Sequence, residues 1–188
     1  MVGPDGQGLQ RITDVRDSSI IYPVWSPRGD RLAYTLQGKT PEESQTGIIE
    51  LGKTSAGPRH VLKGLGDTNE SFTAWSWSPD ETALAGYAQR FDGKPTGISI
   101  LNLRTQDYQR LTPIGSDPIW LSNSRQILFH HAGGIWLVDK TNPQGAKEIL
   151  SVTPDEVARR GFGVAKNDRL VYFSRQKIRS QIRIATLP

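Results

Sequence analysis

The sequence of 188 residues predicts an all-β fold made of four copies of one sheet unit. Two observations support this prediction. A phrase of strand and turn residues recurs four times, and short runs of alternating apolar residues follow each copy. Aligning the copies places one phrase position at Trp25, Trp77, Trp120 and Val164, at intervals of 52, 43 and 44 residues. A period near forty that contains about four strands is typical of propeller blades. We therefore predict a β-propeller of four four-stranded antiparallel blades.

Each copy begins with two strands joined by a tight turn. In the first copy this turn is 26–30, where Pro27 presets φ and Gly29 permits a left-handed backbone. A third segment begins at a glycine and alternates apolar residues, as in 47–51, 97–103 and 134–139. A fourth follows a polar turn, at 59–62, 108–112 and 147–150. Four such strands form one antiparallel blade, and we name them a to d.

The four units span about residues 18–63, 70–112, 115–152 and 159–188 of a single domain. The last unit has segments for strands a, b and c, with strand c at 181–187, and no fourth segment. Residues 9–13 read like 108–112, so an N-terminal strand would complete the last blade and remove two unpaired edges. Residues 2–6 also fit the end of an earlier blade. Two alternatives stay open: a ring of four blades closed by 9–13, or a fragment of a larger propeller.

Helix signals are scarce in this sequence. Thr153, Pro154 and Glu156 have the arrangement of a capping box with proline in the first helical position. They predict a two-turn helix over 153–160, in the loop before the last blade.

Composition narrows the classes of function. The net charge is +4, and the basic residues gather late in the chain without an aromatic-rich face, so we predict no nucleic-acid partner. No apolar run approaches the roughly 20 residues that cross a bilayer, so we expect no membrane insertion. Residues 1–10 do not have the pattern of a secretory signal. The lack of cysteine excludes disulfides and thiolate metal sites and leaves the compartment open.

The recurring phrase resembles a known repeat. Residues 25–34 and 77–80 look like the Trp-Ser-Pro-Asp-Gly repeat of the TolB-type, WD-like β-propellers, which are related to the propellers of prolyl-oligopeptidase-type peptidases. The resemblance covers nearly the whole chain and weakens at 121–124 and 164–167. Residues 163–187 are similar to the end of propellers appended to bacterial signalling proteins. This resemblance implies a protein-interaction scaffold, periplasmic or extracytoplasmic by analogy with TolB itself, although fold alone does not determine function.

Three motifs suggest chemistry that their context argues against. Residues 47–54 match the phosphate-loop pattern, but the middle of the match reads as a strand and no helix follows. The tripeptide Arg28-Gly29-Asp30 is explained by turn geometry. His130 and His131 could ligate zinc, but adjacent residues on a strand point to opposite faces. No Gly-x-Ser-x-Gly elbow is present. We therefore predict no enzyme activity, no cofactor and no metal site.

The tryptophans have two predicted roles. Trp25, Trp77 and Trp120 share one blade position, so we expect them to pack between blades, and Trp136 to be packed as well. Trp75 lies nearer the start of an inner strand and is expected to approach the central channel.

The predicted binding face is the one that carries the variable loops. The connections between strands b and c at 37–46 and 89–96 are long, whereas that at 131–133 is short. Loops on a rigid scaffold are where binding usually resides. We predict that a protein or peptide docks on the face made by the b–c and d–a loops. The candidate residues are Trp75, Arg90, Phe91, Asp92, His130, His131, Arg175 and Lys177.

The predicted function is a non-catalytic protein- or peptide-binding scaffold, a module of a bacterial envelope or signalling protein. One alternative is a small-ligand or carbohydrate sensor that uses the central channel. A remoter alternative is a propeller that gates access to a peptidase domain absent from this chain.

Overall fold

A computed structural model describes residues 5–9, 11–12, 19–39, 43–51, 59–65, 70–90, 92–151 and 156–177. The regular elements in these residues are all strands, which confirms the all-β prediction. Among the described residues, no helix is long and apolar enough to span a bilayer.

The strands form antiparallel blades in chain order. The first blade comprises β1 (Ser19–Trp25), β2 (Arg31–Gln37), β3 (Gln45–Glu50) and β4 (Arg59–Val61). The second comprises β5 (Glu70–Trp77), β6 (Ala83–Arg90), β7 (Pro95–Asn102) and β8 (Tyr108–Arg110). The third comprises β9 (Ser116–Trp120), β10 (Gln126–His131), β11 (Gly134–Asp139) and β12 (Asn142–Leu150). The described part of the fourth is β13 (Glu156–Val164) paired with β14 (Val171–Lys177).

The first strands of successive blades lie against one another, β1 on β5, β5 on β9 and β9 on β13. Successive meander sheets that meet through their first strands have the architecture of a β-propeller or of part of one. The core lies between the blades. One cluster joins Ala33, Ile48 and Leu62 of the first blade to residues of the second. Another joins the second blade to Trp120, Ile127 and Phe129 of the third.

The predicted helix over 153–160 is wrong for its described part, because residues 156–160 belong to β13. The backbone of Val157 pairs with that of Gln176, and Ala158 pairs with Arg175. Capping signals are local, and pairing with a strand distant in sequence overrides them here. Residues 153–155 lie outside the described residues.

The segments predicted to close the ring are only partly described. Leu9, Arg11 and Ile12 are described and are not in a strand, and the side chain of Leu9 is 85% exposed. Residues 10, 13 and 181–187 lie outside the described residues. Closure by 9–13 therefore stays a prediction.

The turn between strands a and b has one geometry in all four blades. In the first, the Ser26 N–H donates to the Arg31 carbonyl (2.9 Å) and the Gly29 N–H donates to the Ser26 carbonyl (2.9 Å). The same two bonds recur at the equivalent positions of the other three turns. Their left-handed residues are Gly29 (φ 75°), Glu81 (59°), Ser124 (51°) and Asp168 (58°). The fourth copy of the phrase, which has lost Trp and Pro, thus folds like the others.

The three left-handed residues other than glycine also join neighbouring blades. The Glu81 carboxylate accepts a hydrogen bond from the backbone N–H of Arg28 (3.0 Å). The Ser124 hydroxyl accepts one from Asp80 N–H (3.0 Å), and the Asp168 carboxylate accepts one from Ser122 N–H (2.8 Å). We call each of these bonds a turn link. A non-glycine residue with positive φ is strained, and at these positions it supplies an acceptor to the preceding blade.

Replacing Glu81 with alanine is expected to lower the free energy of unfolding by about 2 kcal/mol, because two hydrogen bonds that involve its charge are lost. Besides its turn link, Glu81 pairs with the Arg31 guanidinium at 2.5 Å, and its side chain is only 6% exposed. Urea unfolding measures the change. Glu50 is exposed and lines, together with Glu81, a cavity of about 500 Å³, so Glu50→Ala is the control. Equal effects of the two substitutions would contradict the role of the link.

Of the tryptophans predicted to pack between blades, Trp77 and Trp120 do so, each 6% exposed. Trp25 is 51% exposed, so that expectation is wrong for the first blade. Each tryptophan faces the preceding blade, and Trp25 therefore lies on the side of the first blade that faces away from the second. Its register partner is Leu32, whereas the neighbouring pair of Val24 and Ala33 faces the second blade.

Candidate docking face

Three connecting segments meet at one end of the second and third blades. Pro95 begins β7 after the b–c loop of the second blade, residues 113–116 connect the two blades, and 131–132 turn from β10 to β11. Together with His130 they line an open pocket of about 230 Å³. The b–c and d–a connections at this junction therefore lie side by side, and we call this surface the docking face.

The connection between the two blades is held rigidly. The Thr112 hydroxyl donates to the Ile114 carbonyl (2.5 Å) and accepts from the Ile98 N–H (3.1 Å). Gly115 has a φ of +98°, and a Cβ there would lie 2.3 Å from Cδ2 of Phe129. Only glycine permits this approach of backbone to ring. The pocket wall is thus fixed to the core of the third blade.

Both histidines of the predicted face line the pocket. They are the last two residues of β10, and His130 pairs in register with Ser116. The His131 ring lies edge-on to Trp136, with ring centroids 5.7 Å apart. The turn that follows has positive φ at Ala132 (49°) and Gly133 (83°), as in the tight turns that suit a twisted hairpin. Within the described ranges, no group of three or more His, Asp or Glu side chains is arranged to hold a metal.

Arg90 and Asp92 lie in the b–c turn that leads to Pro95. The Gly93 N–H donates to the Arg90 carbonyl (2.9 Å), and the Asp92 carboxylate accepts from the Lys94 N–H (3.0 Å). The turn is shorter than the predicted 89–96, since β6 extends to Arg90 and β7 begins at Pro95. Continued pairing of Gln89 with Pro95 shortens it. Phe91 lies outside the described residues.

Neither Arg90 nor Asp92 lines the pocket, and the remaining predicted residues lie elsewhere. Trp75 lies in β5, at an irregularity of pairing between Ala74 and Ser76. Its ring centroid is 4.9 Å from that of Tyr22 in β1 and 5.9 Å from that of Tyr87. It therefore belongs to an aromatic contact between the first and second blades. Arg175 and Lys177 lie in β14 of the fourth blade, and their side chains lie outside the described residues.

Sequence reasoning missed six of the eight residues that line the pocket. Pro95, Pro113 and Ile114 supply apolar surface, and the Ser116 hydroxyl supplies a polar group. Each comes from a different strand end or connection than the histidines. The two prolines beside predicted strand ends were the available signal of this wall. Proline lacks a backbone N–H and is tolerated where a strand begins or ends.

No family model matches this chain, and no curated protein does. Solved structures do match. One, from a study of two prolyl endopeptidases, is 14% identical with a TM-score of 0.58 over 84% of this chain and 26% of that chain. The β-propeller domain of the Trilobed protease from Pyrococcus furiosus is 14% identical, with a TM-score of 0.49 over 90% of this chain and 59% of that one. An Agrobacterium tumefaciens protein assigned to TolB is 14% identical, with a TM-score of 0.48 over 85% of this chain and 82% of that one.

The likeness at these identities is one of fold alone. The chain spans about a quarter of the prolyl endopeptidase structure and about three fifths of the Trilobed protease domain.

Proposed function

We propose that this chain is a non-catalytic β-propeller scaffold that binds a protein or peptide on its docking face. The observation that carries the proposal is the pocket of about 230 Å³ at the junction of the second and third blades. None of its lining residues is Asp, Glu, Lys or Arg. By analogy with TolB-type propellers, we place the scaffold in a bacterial envelope or signalling protein.

The lining suits one apolar side chain of a peptide. Pro95, Pro113, Ile114 and Ala132 offer apolar surface, and the His131 imidazole offers a nitrogen that can form a hydrogen bond with a peptide. A concave site with mostly apolar walls and a few polar groups has the composition of binding sites in general. A neutral occupant fits best, because the lining has no carboxylate, ammonium or guanidinium group to pair with a charge.

The polar groups of the pocket support binding rather than reaction. Ser116 and His130 are cross-strand neighbours, as a nucleophile and its base would need to be. The Ser116 hydroxyl, however, donates to the Asp117 carboxylate at 3.2 Å. A serine that donates to a carboxylate has its proton directed away from an imidazole base.

The a–b turns at the opposite end of the blades have backbone donors that are less available to a peptide. There the a–b turns are joined by the turn links of Glu81, Ser124 and Asp168. Backbone donors that are already bonded have less to offer a ligand. The docking face, by contrast, presents connections that differ in length from blade to blade, which is where scaffolds carry specificity.

A peptide selection tests the proposal. Peptides from a displayed random library are selected on the full chain, and their dissociation constants are measured by calorimetry for Ala132→Asp and Gln144→Asp variants. Asp tolerates the left-handed backbone of Ala132, so the first variant adds only a charge at the pocket rim. We expect at least tenfold weaker binding, about 1.4 kcal/mol.

Gln144 is exposed on β12, away from the pocket, and its variant should bind like the parent. Selected peptides that bind both variants equally would place the partner site elsewhere.

A further inference from the structure

A second cavity lies at the opposite end of the same two blades. It has a volume of about 320 Å³ and is open to solvent between the c–d loop of the second blade and the c–d turn of the third. Buried Ala83 and Ile100 line it together with Tyr108, while Asp107, Gln109 and Lys140 lie among its polar residues. We call it the c–d crevice. It shares no lining residue with the docking pocket.

Comparison with the junction between the first and second blades explains why no side chain fills this crevice. Ala83 follows the a–b turn at the position that Arg31 holds in the first blade: the N–H of Ser78 donates to the Ala83 carbonyl as that of Ser26 does to Arg31. The Arg31 side chain lies over the Trp77 ring, 4.7 Å from its centroid, and pairs with Glu81. Ala83 replaces this long side chain with a methyl group, which leaves space between the second and third blades.

At the junction between the second and third blades the cation is Lys140, which belongs to the later blade, whereas Arg31 belongs to the earlier blade of its junction. The Lys140 N–H donates to the Arg125 carbonyl, as the Leu103 N–H does to Thr82, so Lys140 and Leu103 are equivalent. Its ammonium lies 5.4 Å from the centroid of the Trp120 ring. The pair Arg31 and Leu103 has thus been exchanged for Ala83 and Lys140. A ligand therefore need not bring a cation to the crevice.

Carboxylates around Lys140 disfavour an anion. Although burial acts in the opposite direction, hydrogen bonds from Ser78 and Thr82, together with the charge of Lys140, hold the pKa of the Asp80 carboxyl below its ordinary value. Bonds from Thr141, with smaller contributions from Arg125 and Lys140, lower the pKa of Asp139. Asp107 adds a carboxylate to the lining itself. The charges at the crevice are thus mixed in sign, so a ligand with a net charge of either sign meets repulsion as well as attraction.

We propose that the c–d crevice binds a neutral polyhydroxylated ring, the chemistry of a monosaccharide unit. Its apolar floor suits the C–H face of such a ring. The surrounding hydroxyl, amide, carboxylate and ammonium groups offer donors and acceptors to ring hydroxyls. A volume near 320 Å³ is at the lower end of the roughly 300–1,000 Å³ of ligand pockets, which favours one ring over a chain.

The floor and rim are already fixed in place. The Tyr108 hydroxyl donates to the Lys63 carbonyl (2.7 Å), so its ring is anchored to the first blade. The Gln109 amide donates to the Lys140 carbonyl (3.2 Å), which joins the two sides of the crevice. A ligand would therefore lose little binding energy to ordering of these side chains.

The test is a titration of the ¹⁵N-labelled full chain with D-glucose and D-galactose, followed by amide chemical shifts. We expect saturable shifts confined to the lining segments 82–83, 100–102, 105–109 and 140 for at least one of these sugars. The double variant Ala83→Arg/Lys140→Leu introduces the residue types of Arg31 and Leu103, the pair at the junction of the first and second blades, and is designed to fill the crevice. It should lose these shifts, whereas Gln144→Arg should keep them.

Three results would overturn the proposal: no saturable shift in the folded parent chain, shifts that persist in the filled variant, or tighter binding of glucuronate or of acetyl-argininamide. The docking-face variant Ala132→Asp should leave the sugar titration unchanged. Failure of the crevice and failure of the docking face can therefore be told apart.

Discussion

Trp77→Ala is expected to lower the free energy of unfolding by about 4 kcal/mol, whereas Trp25→Ala should lower it by less than about 1 kcal/mol. The two residues hold the same place in the repeat and differ in surroundings. Trp77 is 6% exposed in the core between the first two blades, and its indole N–H donates to the Val24 carbonyl at 3.0 Å. Trp25 is 51% exposed. Truncating the first leaves a cavity and removes the hydrogen bond to the Val24 carbonyl, and truncating the second mainly changes a surface.

Chemical unfolding of both variants, followed by circular dichroism, gives the comparison. Trp77→Phe serves as an intermediate case, because it keeps part of the ring volume and loses the indole donor. It should fall between the parent and the alanine variant. An equal loss of unfolding free energy in Trp25→Ala and Trp77→Ala would mean that both indoles are packed equally tightly. That result would contradict the exposure of Trp25.

Gly97→Ala should be the most damaging small substitution, at about 3 kcal/mol or more. Gly97 has a φ of +126°, a backbone conformation that residues other than glycine rarely adopt. A Cβ at this position would lie 1.9 Å from the Thr112 carbonyl oxygen, a backbone atom that cannot turn aside. Because Thr112 also holds the connection behind the docking pocket, the damage should extend to that face.

Two other glycines provide matched controls for Gly97. Gly93 has a φ of +77°, and no atom lies within 4 Å of the position that a Cβ would take there. Gly93→Ala therefore tests backbone strain without a clash and should cost about 1 kcal/mol. Gly64 has neither a positive φ nor a close neighbour, so Gly64→Ala should be neutral or slightly stabilising. Thermal unfolding should rank the three in this order. A Gly97→Ala variant as stable as Gly64→Ala would rule out the close approach of the Thr112 carbonyl.

The sequence was informative about the fold because its signals are repeated. A turn phrase that recurs four times constrains topology even where one copy is degraded, and the turn at Ala165 forms the same bonds as that at Ser26. The helix over 153–160 was a single local signal, and the pairing of β13 with β14 outweighs it. The exposure of Trp25 could not be read from its repeat position, because burial depends on which surface lies opposite.

The candidate site was less predictable than the fold. His130 and His131 were predicted because they border a b–c connection on the face that carries the variable loops, and both line the pocket. Pro95, Pro113 and Ile114 were not, since each is ordinary in its own segment and the segments meet only after folding. The c–d crevice was likewise invisible, because it depends on what replaces Arg31 and Leu103 one blade later.

The turn links have a direction, since the acceptor always belongs to the later blade and the donor is a backbone N–H of the earlier one. The donor N–H belongs to Arg28 and Asp80 at one turn position and to Ser122 one position earlier, where the first two turns have proline, so a blade needs from its predecessor only one N–H of the turn. A gene segment that encodes one blade would therefore carry its own joint when duplicated or transplanted. Such a rule lets repeat arrays grow by copying while the sequences of the copies drift apart.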